Sequence, residues 1–238
     1  MKLEGYNERI IISGNVIEYY SYGKTQYKGK RGRSGRDKVA EACNKEKNRQ
    51  VTLMRAKQAI MRTVNANIGR YGDATPKFVT LTFKDNLKEL EIANNEFKKF
   101  KQRLQYKVKV DLAYICVPEF QKRGAVHYHV IFFNLIYIDA MSLREIWRNG
   151  FIKINKIDNV VNVGVYVAKY LNKDKVDSRL VGKKCYFTSR GLYKSEVIED
   201  AALINQILDY VSGLKCTYET EFENEHVGLC LYKQYNTT

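Results

Sequence analysis

The chain has 238 residues, of which 45% are hydrophobic, and its 41 Lys and Arg against 26 Asp and Glu give a formal charge of +15. This apolar content excludes a disordered chain, and no apolar run approaches the roughly 20 residues that span a bilayer. The charge predicts a polyanionic partner, and the polar first residues show no signal-peptide pattern, so we expect a cytoplasmic protein with no membrane partner.

Residues 1–72 are predicted to form a hairpin, a basic loop and a helix. The stretch 9–22 is rich in β-branched residues and is interrupted by Ser-Gly-Asn, which is typical of a hairpin. Gly, Lys and Arg dominate 23–36, and apolar residues follow helical spacing across 37–68. We expect this region to pack on a core made of 73–238, which ends in a C-terminal extension.

The region 73–238 alternates strand and helix patterns. Strand patterns cover 77–83, 112–120, 125–133 and 151–157, and a short polar loop joins the middle two strands as a hairpin. Helix patterns cover 86–106, 142–149, 159 to about 172 and 195–211, and two more strands lie within 215–235. The helix at 142 has a capping-box pair, Ser142 and Glu145. This order predicts an α+β fold in which a central antiparallel sheet carries its flanking helices largely on one face.

Two of the three histidines, His127 and His129, lie two residues apart in one apolar strand. Alternate side chains on a strand share a face, so both imidazoles point the same way, and burying them is costly unless something satisfies them. A divalent metal would do so, and the hairpin places Glu119 beside them as a third ligand, a set that suits Mg²⁺ or Mn²⁺. The alternative for Glu119 is a strand-end carboxylate that pairs with Lys122 or Arg123.

A pair of tyrosines lies on the helix predicted from residue 159. Tyr166 and Tyr170 are one turn apart with Lys169 beside them, while Val160, Val163, Val167 and Leu171 form the packing stripe. A tyrosine with a pKa of about 10 is a poor nucleophile at neutral pH, and a nearby lysine or metal would stabilise its phenolate. In a chain with 18 tyrosines, two ordinary core or surface tyrosines explain the pair equally well.

Three segments, KFVTLTF, VPEFQKRGAVHYHVIFF and YVAKYLNK, together resemble the motifs of HUH rolling-circle replication initiators (Rep proteins). The second is similar to Rep proteins of Gram-positive plasmids and phages, and the third to the YxxKY element of initiators from small single-stranded DNA phages. The resemblance implies an HUH endonuclease fold of the ferredoxin or RRM type. It implies His127, His129 and Glu119 as metal ligands, Tyr166 as the nucleophile, Lys169 as the group that steadies the phenolate or phosphate, and Tyr170 as a second tyrosine.

The implied reaction is nicking and joining of single-stranded or locally melted origin DNA. The metal, Mg²⁺ or Mn²⁺, polarises the phosphodiester and the tyrosine attacks it, leaving a 5′-phosphotyrosine and a free 3′-hydroxyl. That hydroxyl would prime a host polymerase in the cytoplasm of a bacterial host cell. Because the sequence has no P-loop motif, a host helicase is expected as a partner.

Basic residues and tyrosines outside the three motifs are expected to hold the DNA by charge and by base stacking. The candidates are Arg31, Arg33, Arg36, Lys173 and Arg190, with Tyr19, Tyr20 and Tyr22 as surface rings. Two alternatives remain: an HUH transposase or mobilisation relaxase with the same chemistry, and a non-catalytic nucleic-acid-binding protein. In relaxases the tyrosine usually precedes the histidine motif, and here it follows.

Overall fold

A computed structural model describes residues 4–28, 42–157, 162–168 and 183–237. Within them, strands and helices form an α+β fold with two antiparallel sheets of five strands each, and the predicted fold class is confirmed. The chain divides into a core unit, residues 51–193, and a terminal unit, residues 1–50 and 194–238. The division that the sequence suggested at residue 72 stays a prediction.

The elements of both units follow in chain order. The strands are β1 (Gly5–Ser13), β2 (Val16–Tyr27), β3 (Lys77–Thr82), β4 (Tyr114–Phe120), β5 (Val126–Phe132), β6 (Ile152–Lys156), β7 (Phe187–Thr188), β8 (Glu196–Ile198), β9 (Cys216–Asn224) and β10 (Gly228–Asn236). The helices are α1 (Ala42–Asn67), α2 (Leu90–Val108), α3 (Ala140–Trp147), α4 (Val163–Ala168) and α5 (Ala201–Val211). No helix in the described ranges is both long and apolar enough to cross a membrane.

The sheet of the core unit has the strand order β6-β3-β5-β4-β7, and helices cover both of its faces. On one face, α2 and α3 pack on a cluster that includes Leu81 and Tyr128. On the other, α1 and α4 pack on Phe78, Ile131 and Phe133. The prediction of helices largely on one face is therefore wrong. Apolar side chains on both faces of β3 and β5 leave two surfaces to be buried.

Helix α3 begins two residues earlier than the sequence predicted because Asp139 caps it. The Asp139 carboxylate accepts a hydrogen bond from the backbone N–H of Ser142 (2.9 Å), which places Ser142 inside the helix. The predicted capping box of Ser142 and Glu145 is therefore wrong. The helix ends at Trp147, before the predicted Asn149, because Arg148 adopts a left-handed conformation with φ 66°.

The helix predicted over 195–211 is a strand followed by a helix. The first part, β8, pairs with β1, so that Ile198 lies opposite Ile10. Asp200 then caps α5, since its carboxylate accepts the backbone N–H of Leu203 (3.0 Å). The β-branched residues of β8 favour an extended backbone, and the cap sets where the helix begins.

The sheet of the terminal unit has the strand order β8-β1-β2-β10-β9, with α5 packed on one face. The predicted N-terminal hairpin and C-terminal strand pair are confirmed, and the structure adds that β2 and β10 pair, with Tyr20 opposite Tyr232. Tyr19 is buried on the α5 face, so its predicted place as a surface ring is wrong. Its hydroxyl donates to Glu8, and burial raises the pKa of Tyr19 to about 12.

Candidate active site

Polar side chains gather on the face of the core sheet that α1 and α4 partly cover. The antiparallel register places His127 opposite Glu119 of β4 and opposite Thr82 of β3, and it places His129 opposite Thr80. Residues that lie directly opposite each other in neighbouring strands point to the same face. The hairpin and shared face that the sequence predicted are confirmed. Both imidazoles are buried, with 8% of His127 and 6% of His129 exposed.

Both ring nitrogens of His129 have partners. Its Nε2 lies 2.6 Å from Oε2 of Glu119, and its Nδ1 lies 3.2 Å from Oγ1 of Thr80. A neutral imidazole that donates to the carboxylate through Nε2 accepts the Thr80 hydroxyl proton at Nδ1. If Nε2 gave its lone pair to another group, Nδ1–H could donate to the same hydroxyl. Thr80 therefore supports either tautomer of His129.

Tyr166 lies in α4 and contacts this face of the sheet at the ring of Phe78. The Phe78 ring is fully buried and stacks on the His129 imidazole, with centroids 5.8 Å apart and planes 8° apart. The Tyr166 ring meets Phe78 edge-on, with centroids 5.6 Å apart and an angle of 79°. Phe78 therefore links the imidazole to the phenol, and Tyr166 remains half-buried with its helix anchored by Val163 and Val167.

Residues 76–175 match the family model of the replication-associated protein ORF2. This segment is similar to that family. The predicted resemblance to replication initiators is thus confirmed for residues 76–175, which we call the replication-associated (Rep) domain. Searches of curated proteins and of solved structures gave no match.

The Rep domain contains the predicted histidines, carboxylate and tyrosines, but the structure describes only part of the predicted set. Glu119, His127, His129 and Tyr166 lie on one side of the core sheet. Arg190 is exposed in a turn after β7, outside the matched segment. Lys169, Tyr170, Lys173, Arg31, Arg33 and Arg36 lie outside the described residues, as do Val160 and Leu171 of the predicted stripe.

The donor atoms of the Rep domain bear on whether it could hold a metal. In the described ranges, no group of three or more His, Cys, Asp or Glu side chains could hold an ion as it stands. Even so, His129 Nε2 and Glu119 Oε2 lie 2.6 Å apart, and both are atoms that bind divalent ions. His127 is directly across from Glu119 on the same face. Two imidazoles and a carboxylate are a donor set of the kind that binds divalent cations, and such an ion would have to take the place of the proton between Glu119 and His129.

Two groups of residues escaped the sequence analysis. Phe78 and Thr80 belong to the KFVTLTF segment, and their alternation on a strand was visible, but their place beside His129 depends on the register with β5. Asn65, in α1, contacts α4, and no local pattern indicates a contact between residues so far apart in sequence. Of the two alternative partners for Glu119, Lys122 and Arg123, the second donates to Gln121 and to the Phe83 carbonyl.

Proposed function

We propose that the Rep domain cuts and rejoins single-stranded DNA with Tyr166 as the nucleophile, and thereby starts rolling-circle replication of a plasmid or phage. The observation that carries the proposal is the line of contacts from Tyr166 through Phe78 to His129 and Glu119. It brings a partly exposed phenol to the side of the sheet where two buried imidazoles and a carboxylate meet. Burying two imidazoles and a carboxylate together costs solvation free energy, which favours a site with a chemical role over a plain structural core.

The proposed reaction exchanges one phosphodiester for another. The Tyr166 oxygen attacks phosphorus in line, loses its proton to solvent, and forms a bond to the 5′-phosphate. The bond from phosphorus to the 3′-oxygen breaks, and that oxygen takes up a proton to become the 3′-hydroxyl. No oxidant, reductant or nucleotide is consumed, so the bond energy is stored and a later hydroxyl can reseal the strand.

A divalent cation, Mg²⁺ or Mn²⁺, is proposed as the cofactor, held by His127, His129 and Glu119. Bound there, it would act as a Lewis acid on the scissile phosphate. Thr80 would keep the His129 ring oriented by accepting its Nδ1 proton, as hydrogen-bond partners of metal-bound histidines do. Lys169 is proposed to stabilise the phenolate, and Tyr170 to serve a second transfer.

The proposed substrate is origin DNA that is single-stranded or locally melted, because the attacked phosphate must come to a half-buried tyrosine. The core unit carries 26 Lys and Arg against 12 Asp and Glu, an excess that favours a phosphate backbone. The free 3′ end would prime a host polymerase assisted by a host helicase, in the cytoplasm of a bacterial host cell. Transposition or mobilisation would use the same chemistry on another DNA sequence.

The decisive experiment selects a covalent adduct. Single-stranded oligonucleotides with a randomised central segment are incubated with the full chain and Mn²⁺, and protein-bound DNA is recovered under denaturing conditions and sequenced. A 3′-end label should move onto the protein, while a 5′-end label should remain on a shorter free strand. Mass spectrometry should place the phosphate on Tyr166.

Two variants complete this test. Tyr166→Phe should eliminate the adduct while DNA binding survives, since only one oxygen is lost. Tyr106→Phe removes a hydroxyl from an exposed ring of α2 and should react as the natural chain does. Binding without any adduct, at any metal concentration, would leave a non-catalytic nucleic-acid-binding protein as the better account.

A further inference from the structure

Helix α1 lies outside the Rep domain, yet one of its side chains holds the start of α4. Asn65 is buried, with 8% of its surface exposed. Its Oδ1 accepts the backbone N–H of Gly164 (2.9 Å), and its Nδ2 donates to Oδ1 of Asn162 (3.1 Å). One amide of α1 therefore bonds both the backbone and a side chain at the start of the tyrosine helix.

Asn162 in turn bonds the backbone of the helical turn that carries Tyr166. Its Oδ1 also accepts the backbone N–H of Val165 (3.0 Å), and its carbonyl accepts the backbone N–H of Tyr166 (3.3 Å). Most of the stability of a helix in a protein comes from its tertiary contacts rather than from its own propensity. The orientation of α4 is therefore set by what it touches.

Gly164 allows this contact to be close. A Cβ atom at this position would overlap the carbonyl oxygen of Met61 in α1, so the two backbones approach at a point where a side chain does not fit. The approach puts Gly164 N–H within reach of Asn65. Apolar packing of Val163 and Val167 buries α4, but directional hydrogen bonds restrict its rotation and sliding more than apolar contacts do.

We propose that Asn65 is a positioning residue for Tyr166, and that α1 is thus a working part of the site although it lies outside the family match. The inference rests on the proposed function. Asn65 sets the distance and angle at which the Tyr166 oxygen meets the phosphate. In-line attack is sensitive to such placement, and an error of about 1 Å costs up to about 100-fold in rate.

The test compares two buried asparagines of α1. Asn65→Ala removes both bonds to the start of α4. Asn67→Ala is the matched control: Asn67 is fully buried, and its described bonds go to Thr63, Tyr71 and Tyr193 rather than to α4. Asn65→Asp keeps the acceptor for Gly164 but sets an oxygen against the Asn162 oxygen, and it serves as the reporter if Asn65→Ala does not fold.

The measurements are thermal unfolding, oligonucleotide affinity and the single-turnover rate of adduct formation on a selected oligonucleotide. We expect Asn65→Ala to lower that rate by about 10- to 100-fold at unchanged affinity, and Asn65→Asp to lower it less. Asn67→Ala should lower the unfolding temperature and leave the rate unchanged. The inference is overturned if Asn65→Ala reacts at the natural rate, or if both alanine variants slow the reaction equally. If the natural chain forms no Tyr166 adduct, the proposed function itself fails.

Discussion

The two units of this chain differ in charge more than in architecture. Each has a five-stranded antiparallel sheet, but residues 51–193 carry 26 Lys and Arg against 12 Asp and Glu, and the rest of the chain carries 15 against 14. Nearly all of the +15 charge thus belongs to the unit with the Rep domain. On the terminal unit, edge strand β9 carries Glu219, Glu221 and Glu223. We therefore expect the core unit to attract a phosphate backbone more strongly than the terminal unit does.

The aromatic residues of the two units differ in a second way. In the core unit, the Phe78 ring lies between the His129 imidazole and the half-buried Tyr166 phenol and contacts both. In the terminal unit, tyrosines contact one another: Tyr20 stacks on Tyr22, with centroids 6.1 Å apart, and packs on Tyr232 at 4.8 Å. The hydroxyls of Tyr20 and Tyr232 both donate to the buried carboxylate of Glu18, each at 3.1 Å. The rings contact one another and two of the hydroxyls bond Glu18, so we interpret this cluster as structural.

The largest difference should appear when the same substitution is made in each unit. His129→Ala removes a proposed metal ligand, and we expect nicking to fall below detection because the scissile phosphate loses its Lewis acid. His226→Ala changes the exposed histidine of the terminal unit and should leave nicking intact. The assay is cleavage of a labelled oligonucleotide with Mn²⁺, with and without a chelator. Full cleavage by His129→Ala in the presence of the chelator would remove the metal from the proposal.

A smaller effect is expected one step away from the metal. Thr80→Val keeps the shape of the side chain but removes the hydroxyl at Nδ1 of His129. Loss of such a partner typically weakens metal affinity by about 10- to 100-fold, and we expect the Mn²⁺ concentration needed for half-maximal nicking to rise accordingly. Thr220→Val, on strand β9 of the other sheet, is the control. An unchanged Mn²⁺ requirement in Thr80→Val would mean that His129 does not need this bond.

Local pattern was sufficient for much of the core unit. Alternation predicted that His127 and His129 share a face, and the short polar loop predicted the hairpin that puts Glu119 opposite His127. Both are relations between residues close in sequence. The buried positions of Val163 and Val167 also follow from helical spacing. The chemistry assigned to these residues came from the resemblance to HUH initiators and stays a prediction.

The sequence could not predict which residues far apart along the chain contact each other. The pairing of β2 with β10 joins segments about 200 residues apart, and no periodicity in either strand names its partner. Asn65 and Gly164 belong to different helices, and their contact depends on the packing of both on one sheet. The second sheet and the support of α4 were missed for the same reason: each depends on tertiary packing rather than on local propensity.

A modest effect on DNA binding should separate the units by charge. Arg190→Ala removes an exposed cation of the core unit, and a lost phosphate contact reduces the slope of log affinity against log salt by about 1. Lys24→Ala removes an exposed lysine of the terminal unit, whose Nζ donates to the Glu225 carbonyl, and should leave the slope unchanged. Single-stranded DNA affinity is measured across a salt series. Equal slopes for all three proteins would exclude Arg190 from the contacts.

The smallest effect on DNA affinity is expected at the tyrosine cluster of the terminal unit, which includes Tyr20 and Tyr22, two rings that the sequence suggested as stacking surfaces. Tyr218 is the exposed end of the tyrosine cluster, with 56% of its surface accessible and its ring 5.9 Å from that of Tyr232. A base stacked on an aromatic ring is worth about 1–3 kcal/mol by alanine substitution, so a true stacking site would lose several-fold to a hundredfold in affinity. We expect Tyr218→Ala to leave single-stranded DNA affinity unchanged, because its unit carries 15 Lys and Arg against 14 Asp and Glu and so has almost no net charge to attract phosphates.

A companion variant, Tyr232→Phe, tests whether this cluster is structural. It keeps the ring and removes a hydroxyl that donates to Glu18, which should cost about 1–2 kcal/mol of unfolding free energy, with no change in DNA affinity. Denaturant unfolding and a binding titration on the same samples measure both quantities. If Tyr218→Ala instead weakened binding by as much as a stacked base is worth, the terminal sheet would be a second DNA surface. Charge would then be the wrong guide to which unit holds the strand.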